Sequence, residues 1–108
     1  MEFLVEFEVN IPKGTSEVER EERESAEAAA AAGLAEQGHL IRVWKLPLPD
    51  GAARTVGLYR AGDRAELDRL LEALPLYEWM HVSVSDLEPH PNDPGAWPAA
   101  ASGERGRR

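Results

Sequence analysis

Glu27 is the residue in this 108-residue chain whose surroundings most suggest chemistry. On a helix it shares a face with Ala30, Ala31 and Leu34, and with Arg23 one turn earlier. Leu34 is the only large apolar side chain in that part of the helix, so its side should face a sheet. A carboxylate among alanines, facing space they leave unfilled, suits a general base in a pocket, where desolvation raises its proton affinity. A solvated Glu27 paired with Arg23 at i, i+4 is the competing reading. Charge on a helix is usually solvated, and spacing alone favours that second reading.

Other side chains could bind what such a base acts on. Arg42 and Lys45 sit on opposite faces of one strand, and either could hold a carboxylate, Arg through its bidentate fork. As sheet-edge charges they would instead discourage aggregation, which suits Lys45 best. Trp44, Tyr77 and Trp79 are pocket walls or packing residues, aromatics more often being the latter. His39, His81 and His90 lack the i, i+4 spacing of a helical metal site, and the chain has no cysteine. No metal site is therefore expected, and disulfides and thiol nucleophiles are excluded. Neither GxGxxG nor GxxxxGK[ST] occurs, and no serine has a nucleophile-elbow context, so nucleotide chemistry and serine hydrolysis find no support.

The elements that would position these residues can be read from local patterns. Phe3, Val5, Phe7 and Val9 alternate with Glu2, Leu4, Glu6 and Glu8, a strand with one apolar face. Ser16 followed by Glu19 is a capping box opening a helix that runs to about residue 37 before Gly38. Strands are expected over residues 39–46 and 54–60, joined by the turn at Asp50-Gly51. Asp63 followed by Glu66 caps a second helix, with Leu67, Leu70, Leu71 and Leu74 as its buried stripe and Pro75 as its stop. Residues 79–87 make the last strand, with Met80, Val82 and Val84 on one side. The order βαββαβ predicts an α+β, ferredoxin-like split βαβ fold: a four-stranded antiparallel sheet with two helices on one face. The other face is expected to carry Leu4, Glu6, Arg42, Trp44, Tyr59 and His81. A face with such aromatics usually meets another subunit, so a homo-oligomer is expected.

Composition sets the remaining bounds. With 43% hydrophobic and 30% charged residues, the chain supports one packed core. A formal charge of −8 argues against nucleic acid as a partner. Residues 2–36 hold ten Glu against Lys13, Arg20 and Arg23. No apolar run is long enough to span a membrane, and the start is unlike a signal peptide, so a cytoplasmic protein is expected. Residues 1–91 form the expected domain, and 92–108, rich in Pro, Ala, Gly, Ser and Arg, a tail that is disordered or docked on a neighbour.

Taken in order, several segments resemble the muconolactone isomerase family. They are Val9-Asn10-Ile11-Pro12, residues 22–27, Leu34-Ala35-Glu36-Gln37-Gly38, Arg42-Val43-Trp44-Lys45, residues 70–80 with Leu74-Pro75-Leu76-Tyr77, and the closing Leu87-Glu88-Pro89-His90-Pro91. The resemblance implies the same ferredoxin-like fold, assembly as a dimeric α/β-barrel or larger ring, and a cofactor-free isomerase. Such an enzyme moves a double bond in an unsaturated lactone, giving 3-oxoadipate enol-lactone in the catabolism of aromatic compounds. It places Glu22 and Glu27 on the family's first-helix glutamates, Trp44 on its second-strand Trp, and Tyr77, Trp79 and His90 on its C-terminal pattern. Glu27 and Glu22 become the catalytic candidates, and Arg42, Lys45, Trp44, Tyr77, Trp79 and His90 the substrate-binding ones. The partner implied is a small lactone carboxylate, with no cofactor. The segment 46–54 is longer than the family's, and alanines replace bulkier first-helix residues, which suggests a larger pocket. Two other readings stand beside this one: a cofactor-free cyclase or monooxygenase for a larger aromatic substrate, and a non-catalytic oligomeric binding module.

Overall fold

The computed structural model describes residues 1–96; the remaining twelve residues of the expected tail lie outside the described part. Four strands, β1 (Glu2–Val9), β2 (Leu40–Pro47), β3 (Ala53–Arg60) and β4 (Met80–Leu87), form one antiparallel sheet in the order β2-β3-β1-β4. Two helices, α1 (Glu17–Glu36) and α2 (Arg64–Glu72), complete the ferredoxin-like α+β arrangement expected from the element order.

The helix starts form as the capping residues require. The Ser16 side chain accepts from the Glu19 N–H at 3.0 Å, and Asp63 accepts from the Glu66 N–H at 2.8 Å. Glu66 closes its half of the second cap on the Gly62 N–H at 2.7 Å, one residue before the cap itself. Gly38 ends α1 at φ 82°, a conformation other residues avoid.

The core lies between sheet and helices. Phe3, Val5 and Phe7 of β1 meet Leu34 of α1 and Leu67, Leu71 and Leu74 from α2 and its exit. Register assigns the faces. Phe3 pairs with Tyr59, Val5 with Gly57 and Phe7 with Thr55, so these three β3 residues face the helices. Tyr59 is buried in that core, which corrects the expectation that it lies on the open face. The reason is strand parity: Val56 and Leu58 share a side, so Tyr59 must take the other. Arg42 and Trp44 pair with Leu58 and Val56 and do lie on the open face. A register shift between Leu40 and Arg42 inserts Ile41 into β2 and keeps Leu40 on the core side beside Tyr59.

Two boundaries also differ from expectation. α2 stops at Glu72, before Pro75 is reached, because the residue preceding a proline disfavours helix and the chain must begin to turn. Tyr77–Trp79 then forms a tight 3-10 turn, so β4 begins at Met80 instead of Trp79. Among the described residues no helix is long and apolar enough to cross a membrane.

Candidate active site

A cavity of about 260 Å³ opens between α1 and the core side of the sheet. Glu24, Glu27, Ala28 and Ala31 reach it from α1, a stripe at i, i+3, i+4 and i+7. Phe7, Val43, Thr55 and Tyr59 supply much of the floor, and Leu76 and Met80 close one end. The volume falls just below the ~300–1,000 Å³ of sites for drug-sized ligands, so it suits a small substrate. The alanines leave this space: at positions 28 and 31 a longer side chain would fill it.

Glu27 is half-buried in the cavity wall. One carboxylate oxygen accepts from the Leu76 N–H at 3.0 Å. Arg23, one turn earlier, donates to the Pro75 carbonyl at 3.1 Å. The two side chains thus hold the two polar ends of a single, partly buried peptide group, Pro75–Leu76. Arg23 also pairs with the Glu78 carboxylate and lies 4.6 Å above the Trp79 ring. Its partners are therefore Pro75, Glu78 and Trp79, and the i, i+4 pair with Glu27 does not form. Burial pushes the Glu27 carboxyl above its usual 4.5, and the Leu76 hydrogen bond only partly opposes that.

The remaining sequence-derived residues are scattered over the molecule. Glu22 is exposed and lies outside the cavity lining; Glu24, two residues on, takes the place on the cavity stripe. Lys45 pairs in register with Thr55 and so lies on the cavity side of β2, with no ion-pair partner among the described residues. Arg42 stacks on Trp44, its guanidinium carbon 5.3 Å from the ring centre, on the far side of the sheet. Trp79 is buried beneath Arg23 and supports the turn that carries Leu76. Tyr77 is exposed beside Leu71, Val82 and Val84 in a separate groove. His90 accepts from the Asn92 N–H at 3.0 Å in an exposed turn after β4. Within one chain, then, the structure joins Glu27 to the cavity, puts Lys45 on its side of the sheet, and separates Arg42, Trp44, Tyr77 and His90 from it.

Tyr59 is the cavity residue that sequence reasoning missed. Strand parity against Val56 and Leu58 was the available signal. Burial and the charge of Glu27 push its phenol up to about 12, so it keeps its proton at any physiological pH. Among the described residues, no group of three or more His, Asp or Glu is placed to hold a metal ion.

Residues 1–93 match the family model described as muconolactone delta-isomerase. Among solved structures, a muconolactone isomerase superposes with a TM-score of 0.76 at 22% identity, covering 87% of this chain and 95% of that one. The 5-chloro-2-hydroxyhydroquinone dehydrochlorinase of Burkholderia phenoliruptrix AC1100, solved with 2,5-dihydroxybenzoquinone, superposes with a TM-score of 0.60 at 14% identity, covering 83% and 96%. At these identities the two structures share the fold. No curated protein matches the sequence.

Proposed function

The chain belongs to the muconolactone delta-isomerase family, and from that premise we propose that it is a cofactor-free enzyme moving a proton within a small unsaturated lactone carboxylate. Muconolactone, converted to 3-oxoadipate enol-lactone, is the first substrate to test. The observation that carries the reading is the Glu27 carboxylate, fixed by Leu76 in the wall of a mainly apolar cavity and raised in proton affinity.

The chemistry follows from that placement. An ionised Glu27 removes the ring proton at the carbon conjugated, through the double bond, to the lactone carbonyl. The electron pair spreads over the ring and onto the carbonyl oxygen, forming a dienolate. The same carboxyl, now protonated, returns the proton to the carbon next to the carbonyl, and the double bond has moved. No net proton, electron or co-reactant is needed. A carboxyl with raised proton affinity suits both halves, because the best shuttle has a pKa near the working pH. The hydrogen bond from Leu76 leaves the other oxygen for substrate.

Lys45, on the cavity side and without an ion-pair partner, supports a role as the group that holds the substrate's free carboxylate. Arg42 is the less suitable cation, since the sheet stands between it and the cavity. The open face bearing Arg42, Trp44 and Leu46 is the surface on which a second copy would dock, and light scattering showing only an 11.9 kDa species would exclude it.

The test is turnover of muconolactone by purified protein, followed by its ultraviolet absorbance, with Glu27→Gln alongside. Gln keeps an oxygen for the Leu76 N–H and removes the base. The expected loss is ~10²–10⁴-fold in kcat. Equal turnover by the variant would overturn the assignment.

A further inference from the structure

The proton shuttle leaves a second titratable group in the same cavity without a task. Tyr59 is 4% exposed and lines the space that Glu27 borders. No group among the described residues hydrogen-bonds its hydroxyl, and that oxygen is not sealed from solvent. A hydroxyl that opens on a cavity keeps its donor free for whatever binds there. A donor placed this way is poised for a ligand.

The ring is held where it stands. Gly57, two residues earlier on the same face of β3, leaves room that no other residue would: a Cβ there would sit 2.6 Å from Tyr59 Cε1. On another side the ring meets Phe7 edge-on, with centroids 6.2 Å apart and planes at 62°. A donor fixed before substrate arrives needs no reorganisation when charge appears, and that is the condition under which such donors accelerate reactions most.

We propose that the Tyr59 hydroxyl donates to the carbonyl oxygen of the substrate and stabilises the dienolate formed when Glu27 takes the proton. Glu27 approaches from α1 and Tyr59 from β3, so base and donor act from different walls of one cavity. As the carbonyl oxygen gains negative charge its hydrogen bond strengthens, and the proton stays on Tyr59, whose phenol burial holds at about 12. The ligand class is an oxyanion conjugated to a planar ring. The role assigned to Tyr59 rests on Glu27 being the base.

The test therefore separates the two. In the Glu27→Gln background, which removes the competing negative charge, the protein is titrated with 4-nitrophenolate, a planar oxyanion with a visible absorbance. The same titration is made with Glu27→Gln/Tyr59→Phe. Loss of the hydroxyl should weaken binding by about tenfold or more, the usual worth of a hydrogen bond to a charged group. Tyr59→Phe alone should lower kcat by about 10²-fold. Its melting temperature should not fall, because the hydroxyl bonds nothing in the fold. Equal phenolate affinity in the two proteins, or binding by neither, overturns the proposal. Full turnover by Glu27→Gln alongside Tyr59-dependent phenolate binding would instead remove the base and leave the donor.

Discussion

Gly57→Ala is the substitution whose effect the structure allows to be worked most closely. The backbone at Gly57 is ordinary strand, so alanine meets no conformational strain there. The difficulty is Tyr59. The new Cβ would lie 2.6 Å from Cε1 and 3.2 Å from Cδ1, whereas carbon atoms settle at ~3.5–4.0 Å. The ring edge must retreat by about 1 Å, and it is a rigid buried ring with Phe7 against it. Overpacking of this kind costs ~1–3 kcal/mol. Replacing glycine in a strand returns ~0.5–1 kcal/mol of backbone entropy, so the net loss lies between about 0 and 2.5 kcal/mol, and the 2.6 Å approach to a rigid ring puts it in the upper half of that range. For a domain of this size that lowers the melting temperature by ~4–8 °C per kcal/mol. Moving the hydroxyl by the same ångström should cost up to ~10²-fold in turnover. Thermal denaturation by circular dichroism and the lactone assay read both. A double-mutant cycle isolates the cause: in a Tyr59→Ala background, Gly57→Ala should be neutral or stabilising. A single variant as stable and active as the parent would refute the claim that Gly57 seats the ring.

Three further outcomes are expected. Arg23→Met removes the partner of Pro75, Glu78 and Trp79 together, and urea denaturation should show a loss of about 1–2 kcal/mol, discounted for the partial exposure of the pair. Glu27→Gln should change the pH dependence of stability: the raised carboxyl makes the native state hold its proton more tightly than the unfolded chain, so the parent loses stability as pH rises from its usual 4.5 through the folded-state value. The variant lacks that loss, so thermal melts should show it matching the parent below that window and exceeding it above. Lys45→Met should raise KM with little change in kcat, since a hold on a remote carboxylate is the same in ground and transition states.

The fold was legible because its signals are local. Alternation in β1, the caps at Ser16 and Asp63, and the leucine stripe of α2 each lie within a few residues, and each formed where its pattern placed it. The boundaries near Pro75 were less so. A proline acts on the residue before it, and the 3-10 turn at Tyr77–Trp79 exists to bring the chain under Arg23, which no local pattern reports.

The site divides along the same line. Spacing grouped Glu27 with Ala30, Ala31 and Leu34; Ala31 does share its cavity, but Ala30 and Leu34 line a separate groove against α2, and Glu24 and Ala28 complete the cavity stripe. Spacing also offered Arg23 as Glu27's partner, and there it failed for a definite reason. An i, i+4 pair on a helix contributes only ~0.3–0.5 kcal/mol, while leaving even a partly buried peptide group without its hydrogen bonds costs more than that. The Pro75–Leu76 peptide, about fifty residues away in the chain, therefore takes both side chains, one at each end. That competition also gives Glu27 its character. Had Arg23 reached it, a neighbouring cation would have favoured the charged form and lowered the carboxyl's proton affinity. Diverted to the carbonyl, Arg23 leaves Glu27 with one neutral N–H and a mainly apolar cavity. Burial at the cavity is what raises this carboxyl's proton affinity, and the long-range contact with Pro75, which local spacing could not show, keeps the neighbouring cation from reversing it.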